Sequence, residues 1–232
     1  MRYLLFGAPA PAYKVAVLIK TAAFTAHALQ EHYVHPLHAA GIPADTVIGY
    51  TLKYDEHNKC TAKQAKEYLA TLLPVLVSMG TEVLYVCDSA YFKILTKQTK
   101  ADPHSGYVLP CAIAGFEHLQ VVLGVNYQQL FYNPDLQTKL HAGLAAVSHW
   151  LHGTYTPPGT NILHHVSYPD TVADIRHTLQ QLHQYDLLAC DTETFSLKVY
   201  AAGLGTIAFA TGPHSAVAFR VDMLRTDTES ML

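Results

Sequence analysis

Strand-like segments alternate with longer amphipathic segments up to about residue 152, and this alternation constrains the fold more than any other feature of the chain. Four segments have the pattern of β-strands: 3–7, 46–52, 82–87 and 120–125. Four others have helical periodicity: roughly 21–40, then 62–79, a segment that begins at Asp88 or Ser89, and 135–152. Strands that alternate with helices predict an α/β fold, here a domain with helices on a largely parallel sheet.

The segment Tyr155-Thr156-Pro157-Pro158-Gly159-Thr160 marks a boundary, because two prolines and a glycine separate two periodic regions. We therefore predict a first domain over 1–153, a linker over 154–160 and a second, incomplete domain over 161–232. Its elements are predicted as a strand near 162–166, a helix over about 171–185, a buried strand over 186–190, and a hairpin formed by 206–211 and 216–221.

Composition excludes several classes of protein. The chain has no uninterrupted apolar run long enough to span a membrane, and its apolar N-terminal run is too short for a signal peptide. The four cysteines are widely separated and include no Cys-x-x-Cys pair, which argues against a zinc ribbon, an iron–sulfur cluster or a disulfide scaffold. This cysteine usage is typical of a reducing cytosol, so we expect a cytoplasmic protein without a membrane segment.

The net charge of −3 gives no overall signal for nucleic-acid binding, but the lysines are unevenly placed. Two clusters have spacings of three and four, which would put each on one side of a helix: Lys59, Lys63 and Lys66, and Lys93, Lys97 and Lys100. Each cluster is either a solvated helix face or a set of contacts to DNA phosphates. The fifteen histidines include no His-Glu-x-x-His motif, so exposed or packed histidines are favoured over a zinc site.

The clearest chemical motif is Asp191-Thr192-Glu193-Thr194, which follows the apolar segment 186–190. Because side chains alternate across a strand, Asp191 and Glu193 are predicted to point to one face, a few ångströms apart. Two carboxylates this close repel each other unless a cation lies between them. Hard oxygen ligands suit Mg²⁺ or Mn²⁺, and two-metal phosphoryl chemistry uses such sites. The alternative is that the motif caps a turn by hydrogen bonding to backbone amides.

This segment resembles the opening of the DnaQ-like 3′–5′ exonuclease fold, a member of the RNase H-like folds. It most resembles the proofreading domain of family A DNA polymerases from tailed bacteriophages. The resemblance covers about residues 160–222 and includes the helix before the motif and the hairpin after it. It implies that Asp191 and Glu193 bind the two catalytic metals, which activate the attacking water and stabilise charge on the phosphate.

The resemblance also implies that this chain holds only part of the active site. The exonuclease family needs two further aspartates from later motifs and a Tyr or His that orients the water. After Thr194 the acidic residues are Asp222, Asp227 and Glu229, which come too early in the fold to fill these roles. We therefore expect a second polypeptide, or a continuation of the chain, to carry the rest of the exonuclease and the polymerase domain.

Residues 1–150 resemble a uracil-DNA glycosylase-type fold in the order and spacing of their elements. Four segments carry the match: Ala40–Tyr54, the helix at 61–76, the strand and helix start at 83–90, and Val122–Pro134. The residues that such glycosylases need are missing, since the first loop, Gly7–Ala10, has no acid or amide. Tyr50 replaces an Asn, and Asn126-Tyr127 replaces a His-Pro. Base excision needs a flipped base and an activated water, so we expect no glycosylase activity.

Inactive glycosylase-like segments precede the exonuclease in some phage family A polymerases, and the order of the two units here resembles that arrangement. The first hypothesis is therefore the N-terminal segment or subunit of a phage replicative DNA polymerase that acts in the host cytoplasm. It would contribute scaffold, DNA contacts and the first metal-binding motif of the exonuclease. The segment Arg225–Leu232 is polar and is compatible with a natural end; if the chain does end there, we expect a partner chain to cover the exposed sheet edges.

The second hypothesis is a non-enzymatic DNA-binding or processivity module. The lysine clusters would bind the DNA backbone, with Tyr50, Tyr91 and Tyr127 as stacking groups, although packing is the alternative for these tyrosines. A self-contained nuclease or glycosylase is disfavoured, because both the later acidic ligands and the glycosylase residues are missing.

Overall fold

A computed structural model of the chain describes residues 2–55, 57, 59–160, 162–196, 198 and 203–224. The chain divides into two compact units, Met1–Pro158 and Gly159–Leu232, and the division falls inside the segment 154–160. The predicted polar end Arg225–Leu232, with Asp227 and Glu229, lies outside the described residues. No helix in the described part of the chain combines the length and the apolar character needed to cross a bilayer.

The first unit is built on a six-stranded mixed sheet. Its strands are β1 (Tyr3–Leu5), β2 (Val15–Lys20), β3 (Val47–Leu52), β4 (Val83–Val86), β5 (Val108–Pro110) and β6 (Gln120–Leu123). They lie in the order β1-β3-β2-β4-β6-β5. The four central strands are parallel, whereas β1 and β5 are antiparallel to their neighbours. The predicted α/β class is therefore confirmed, with a sheet that is parallel at its centre and antiparallel at both edges.

Helices cover both faces of this sheet. They are α1 (Ala26–Leu29), which continues through a π-helical turn (Gln30–Val34) into α2 (His35–Ala39), then α3 (Ala62–Ser78), α4 (Ser89–Thr96) and α5 (Leu136–Leu151). Leu69 of α3 and Phe92 of α4 belong to the core on one face. Tyr33 of the π-helical turn and Leu144 of α5 belong to the core on the other face. The central strands are buried on both sides, which explains their nearly continuous apolar sequences.

The strand β2, at the centre of this sheet, is missing from the sequence-based prediction. Residues Val15–Ile19 are fully buried, and β2 pairs with β3 on one side and β4 on the other. A strand buried on both faces shows no polar alternation, and a short apolar run of this kind has no periodicity that identifies it. The edge strand β5 is also missing from the prediction, because it contains only three residues.

The second unit contains a four-stranded sheet with a helix on one face. Its elements are β7 (His165–Ser167), α6 (Val172–Leu182), β8 (Ala189–Thr194), β9 (Leu204–Gly212) and β10 (Ser215–Arg220). The strands lie in the order β7-β10-β9-β8, with β10 parallel to β7 and the other pairs antiparallel. Ile175 of α6 shares a core with Val217 and Phe219 of β10. The predicted hairpin is confirmed as β9 and β10.

The strand that carries the acidic motif differs from the prediction in both position and burial. The prediction ends a buried strand at Cys190, whereas β8 runs from Ala189 to Thr194 and contains the whole motif. All six residues of β8 are exposed, and Leu187 just before it is 85 % exposed. The reason is topological: β8 is an edge strand, and β9 is its one neighbour among the described strands. Apolar composition alone does not distinguish such an edge from a buried strand.

Candidate functional site

The two motif carboxylates lie on one face of the sheet in the second unit. Asp191 of β8 pairs with Ala208 of β9, and Glu193 pairs with Thr206. The neighbouring residues Ile207 and Phe209 belong to the core beneath α6, so the two carboxylates lie on the face opposite that helix. Two residues along a strand separate their Cα atoms by about 7 Å.

The backbone of the motif is extended. All four residues from Asp191 to Thr194 lie in β8, so the motif itself does not form a turn, although the Thr194 hydroxyl donates a 3.0 Å hydrogen bond to the carbonyl of Ser196 just after the strand. One oxygen of Asp191, Oδ1, accepts a 2.9 Å hydrogen bond from the N–H group of Thr192. Its Oδ2 and the carboxylate of Glu193 have no protein donor among the described residues. These three oxygens are therefore available to a ligand.

A cavity of about 350 Å³ adjoins Glu193. It is lined by Glu193, Thr194, Phe195, Gly205, Thr206, Arg220 and Asp222. Arg220 forms two hydrogen bonds with Asp222, from Nε to Oδ1 at 3.1 Å and from Nη2 to Oδ2 at 2.6 Å. The hydrogen bonds from Arg220 hold the pKa of the Asp222 carboxyl below its ordinary value, and the same bonds raise the pKa of Arg220. Asp222 is therefore engaged by a cation of this chain.

The acidic residues near the motif do not form a larger cluster. Within the described ranges, no group of three or more His, Cys, Asp or Glu side chains is arranged to hold a metal ion. Asp191 and Glu193 therefore constitute the candidate ligand set in the described part of the chain. Mg²⁺ and Mn²⁺ require about six ligands, so most of them would come from water or from groups outside the described residues.

The first lysine cluster lies only partly on a helix. Lys63 and Lys66 are exposed on the first turns of α3, whereas Lys59 precedes Thr61, the residue that caps this helix. The prediction that the three lysines share one side of a helix is wrong, because α3 begins at Ala62. Their contact with DNA stays a prediction.

The second lysine cluster is divided by the end of a helix. Lys93 lies on α4, which ends at Thr96, and Lys97 follows it with a left-handed φ of 55°. Lys100 lies beyond the helix. A left-handed residue ends a helix by turning the chain away from its axis, so the predicted common helix face is wrong here too. All three lysines are exposed.

The three tyrosines proposed to stack on DNA have different environments. Tyr50 is 2 % exposed and Tyr91 is fully buried, and the Tyr91 hydroxyl donates a 2.8 Å hydrogen bond to the carbonyl of Lys53. The stacking role is therefore wrong for both residues. Tyr127 is half-buried, and its ring lies parallel to that of His32 with the centroids 4.7 Å apart. Packing explains all three positions.

A cleft at the carboxyl ends of the parallel strands was not predicted from the sequence. It has a volume of about 490 Å³, and its walls come from the end of β2 and from the loops that follow β3, β4 and β6. The strands β2 and β4 are neighbours at the centre of the sheet. From β2 the chain continues to β3, toward one edge of the sheet, and from β4 it continues to β6, toward the opposite edge. Open α/β sheets bind ligands in the crevice where the connections diverge in this way.

Three polar side chains meet in this cleft. The hydroxyl of Tyr54 donates a 2.7 Å hydrogen bond to Oδ2 of Asp88, and Nζ of Lys20 lies 3.6 Å from the same oxygen. The Lys20 ammonium also lies 4.3 Å from the centroid of the Tyr54 ring. Burial and the hydrogen bond to Asp88 raise the pKa of Tyr54, so its hydroxyl is a neutral donor. The other oxygen of Asp88 accepts hydrogen bonds from the N–H groups of Ala90 and Tyr91 at the start of α4.

The strand β2, which the sequence did not predict, also changes the comparison with glycosylases. Gly7–Ala10 follows β1, an antiparallel edge strand, so it is not the loop after the first parallel strand. That loop is 21–25, which follows β2 and likewise contains no acid or amide. The sequence signal that points to Lys20 is the apolar run Val15–Ile19, which ends directly before it. If this run is a parallel strand, Lys20 lies at its carboxyl end, and the carboxyl ends of parallel strands meet at one edge of a sheet.

A scan against models of known protein families and a search of curated proteins found no match to this chain.

Proposed function

We propose that the chain is the N-terminal portion of a phage replicative DNA polymerase. In this proposal the first unit is an inactive glycosylase-like domain, and the second is the beginning of an RNase H-like 3′–5′ exonuclease domain. The observation that supports it most is the placement of Asp191 and Glu193 on one open face of β8. An exonuclease that uses two metals needs carboxylates in this arrangement.

The donor chemistry of the motif suits a hard divalent cation. Carboxylate oxygens are the ligands that Mg²⁺ and Mn²⁺ prefer, and three of the four oxygens of Asp191 and Glu193 have no donor among the described residues. The exposure of all six β8 residues leaves room for water and for a phosphodiester. When bound, such an ion would supply charge neutralisation at the phosphate. The chain's own contribution is to hold the two carboxylates at a fixed separation.

The edge of β8 that has no partner strand among the described residues supports a role within a larger assembly. A strand edge presents unpaired N–H and C=O groups, which favour pairing with another strand. The exposed side chains of Leu187 and Phe195 flank this edge and are 85 % and 76 % exposed. A polypeptide that carries the remaining exonuclease residues would cover this edge, and the proposal places that polypeptide in the same polymerase.

The first test is Mn²⁺ binding by the full chain, measured by electron paramagnetic resonance of the free ion. Weak binding is expected in the wild-type chain and should be lost in Asp191→Asn and Glu193→Gln. The matched control is Asp186→Asn, which removes an exposed carboxylate just outside β8. Equal Mn²⁺ affinity in the wild type and Asp191→Asn would contradict the metal-ligand role.

The second test concerns the completed enzyme. The tagged chain is purified from its source cells, and bound proteins are identified by mass spectrometry. Stoichiometric recovery of a chain with polymerase motifs and the missing acidic residues is expected. In that complex Asp191→Ala should abolish degradation of a mismatched primer while polymerisation continues. Unchanged degradation by the variant, or a monomeric chain without such a partner, argues against the proposal.

A DNA-binding module without enzymatic activity is the second candidate, and a specific observation favours it. Phe131 and Tyr132 are 76 % and 91 % exposed, and Tyr132 and Lys20 line the same cleft of the first unit. Exposed aromatic rings beside a cation are typical of surfaces that stack on single-stranded DNA. This candidate predicts salt-dependent binding of single-stranded DNA by the isolated chain, weakened in Tyr132→Ala but unchanged in Asp191→Asn.

A further inference from the structure

Arg220 lies in the same row of side chains as Glu193. Glu193 of β8 pairs with Thr206 of β9, and Thr206 pairs with Arg220 of β10. Partners in a sheet point to the same face, and adjacent strands are about 4.8 Å apart, so the Cα atoms of Glu193 and Arg220 are separated by about 10 Å. Both side chains line the cavity of about 350 Å³ beside the motif.

The orientation of Arg220 is fixed by a single neighbour. Nε and Nη2 donate hydrogen bonds of 3.1 and 2.6 Å to the two oxygens of Asp222. A guanidinium group has five N–H donors, so three remain, and no described residue accepts a hydrogen bond from them. The Arg220 side chain is 67 % exposed, which leaves these donors accessible from the cavity. Asp222 therefore holds the guanidinium without saturating it.

Among the described residues, small side chains lie on the sheet face between Arg220 and the motif. The row next to Glu193 consists of Asp191, Ala208 and Ala218, and methyl side chains rise little above the backbone. A tetrahedral anion placed over these alanines would have the two carboxylates on one side and a guanidinium on the other. Arginine binds phosphate oxygens with paired, charge-assisted hydrogen bonds.

We propose that Arg220 binds the phosphodiester group of a nucleic-acid strand at the Asp191–Glu193 site, and that Asp222 is its positioning residue. This inference rests on the proposed exonuclease function, because it takes the ligand of the motif to be a DNA phosphate. It assigns a phosphate-binding role to a residue outside the motif. It also explains why Asp222, although close to Glu193, is engaged with a cation instead of serving as a third acidic ligand.

A purely structural ion pair is the competing explanation for Arg220 and Asp222. The pair lies between the end of β10 and the turn after it, and two exposed partners of this kind contribute little to stability. A structural role predicts a change in thermal unfolding of Arg220→Gln without any effect that depends on the charge of the DNA. A phosphate-binding role predicts unchanged thermal unfolding of Arg220→Gln and an effect on DNA binding that depends on the charge of the DNA.

The test measures binding of a single-stranded thymidine oligonucleotide, labelled at its 5′ end, to the full chain in the presence of Ca²⁺. A second oligonucleotide carries an uncharged methylphosphonate at its 3′-terminal linkage. The wild-type chain should bind the methylphosphonate about tenfold more weakly than the natural strand, because charge-assisted hydrogen bonds are lost. Arg220→Gln should bind the natural strand about tenfold more weakly than the wild type and should distinguish the two strands clearly less than the wild type does. Arg220→Lys keeps the positive charge but lacks the paired N–H donors of a guanidinium group. The ratio of its affinities for the two strands should therefore lie between those of the wild type and Arg220→Gln.

Mn²⁺ binding by the same variants separates this inference from the proposed function. Arg220→Gln should bind Mn²⁺ as the wild type does, whereas Asp191→Asn should not. Equal discrimination between the two strands by the wild type and Arg220→Gln would overturn the role of Arg220 while leaving the metal site intact. Equal Mn²⁺ affinity in Asp191→Asn and the wild type would instead contradict the proposed exonuclease function.

Discussion

The hydroxyl group of Tyr33 donates a 2.8 Å hydrogen bond to the carbonyl oxygen of Val125, which connects the π-helical turn to the loop after β6. The same hydroxyl accepts a 2.9 Å hydrogen bond from the N–H group of Tyr127. Tyr33 is fully buried, and its bond to Val125 is buried whereas its bond from Tyr127 is partly buried. π-helical turns are rare and occur often at functional sites, and this one fixes the loop that forms a wall of the cleft.

Replacement of Tyr33 by Phe should destabilise the first unit by about 1–3 kcal/mol, because a buried carbonyl and a partly buried N–H lose their partner. The measurement is urea unfolding followed by the fluorescence of Trp150, the single tryptophan, which lies on α5 of the same unit. The control is Tyr107→Phe, which removes an exposed hydroxyl that donates to the carbonyl of Pro158. This control should cost about 0.5 kcal/mol or less. Equal losses in the two variants would mean that the buried hydrogen bonds contribute nothing specific.

Substitution of Gly124 by Ala should destabilise the first unit by about 1–3 kcal/mol through overpacking. An added Cβ would lie 2.6 Å from the ring of Tyr85, which is buried and cannot move aside. The control is Gly212→Ala at the end of β9, where nothing lies within 4 Å of the added atom. Far-ultraviolet circular dichroism during urea unfolding measures both changes. The steric argument fails if Gly124→Ala has the stability of the wild type.

The sequence was sufficient for elements with strong local signals. The helix α3 begins after Thr61, whose side chain forms a capping box with Gln64 in the first turn, and its apolar positions recur with helical spacing. The hairpin of β9 and β10 shows alternation on both sides of a Pro-containing turn. Such elements are specified by residues close together in the chain, so they can be predicted without knowledge of the tertiary fold.

Features that depend on tertiary neighbours could not be predicted in this way. Val15–Ile19 becomes a strand because β3 and β4 lie on either side of it, and β8 is exposed because it lies at a sheet edge. The lysine clusters followed helical spacing, but the left-handed Lys97 ends α4 before the pattern is complete. The pairing of Lys20 with Asp88 joins residues far apart in the sequence, and only the order of the strands brings them together.

Asp88 should stabilise the first unit mainly through its hydrogen bonds to the start of α4 and to Tyr54, and less through its negative charge beside Lys20. Asp88→Ala removes the cap of α4 and the acceptor of the Tyr54 hydroxyl, and we expect a loss of about 2 kcal/mol. Asp88→Asn keeps an oxygen that can cap the helix, so it should cost clearly less. Urea unfolding followed by Trp150 fluorescence compares the two variants. If Asn is as destabilising as Ala, the carboxylate charge beside Lys20 contributes more than the helix cap.

Buried tyrosines should make the fold sensitive to alkaline pH. Burial raises the pKa of Tyr68 to about 12. Burial also raises the pKa values of Tyr33, Tyr54 and Tyr91. In the unfolded chain a tyrosine titrates near pH 10, so above that pH the unfolded state binds fewer protons than the native state. The stabilisation from the neutral phenols is therefore complete below about pH 10 and is lost as the pH rises toward 12.

The free energy of unfolding, measured in urea at a series of pH values, should decrease between about pH 10 and 12. Phenolate absorbance should increase in a cooperative step with unfolding, because the buried tyrosines ionise only when they reach water. Tyr68→Phe removes one of these groups and should make the decrease less steep by about 1.4 kcal/mol per pH unit at most. A free energy of unfolding that is constant over this range would show that the native state releases the phenolic protons as readily as the unfolded chain.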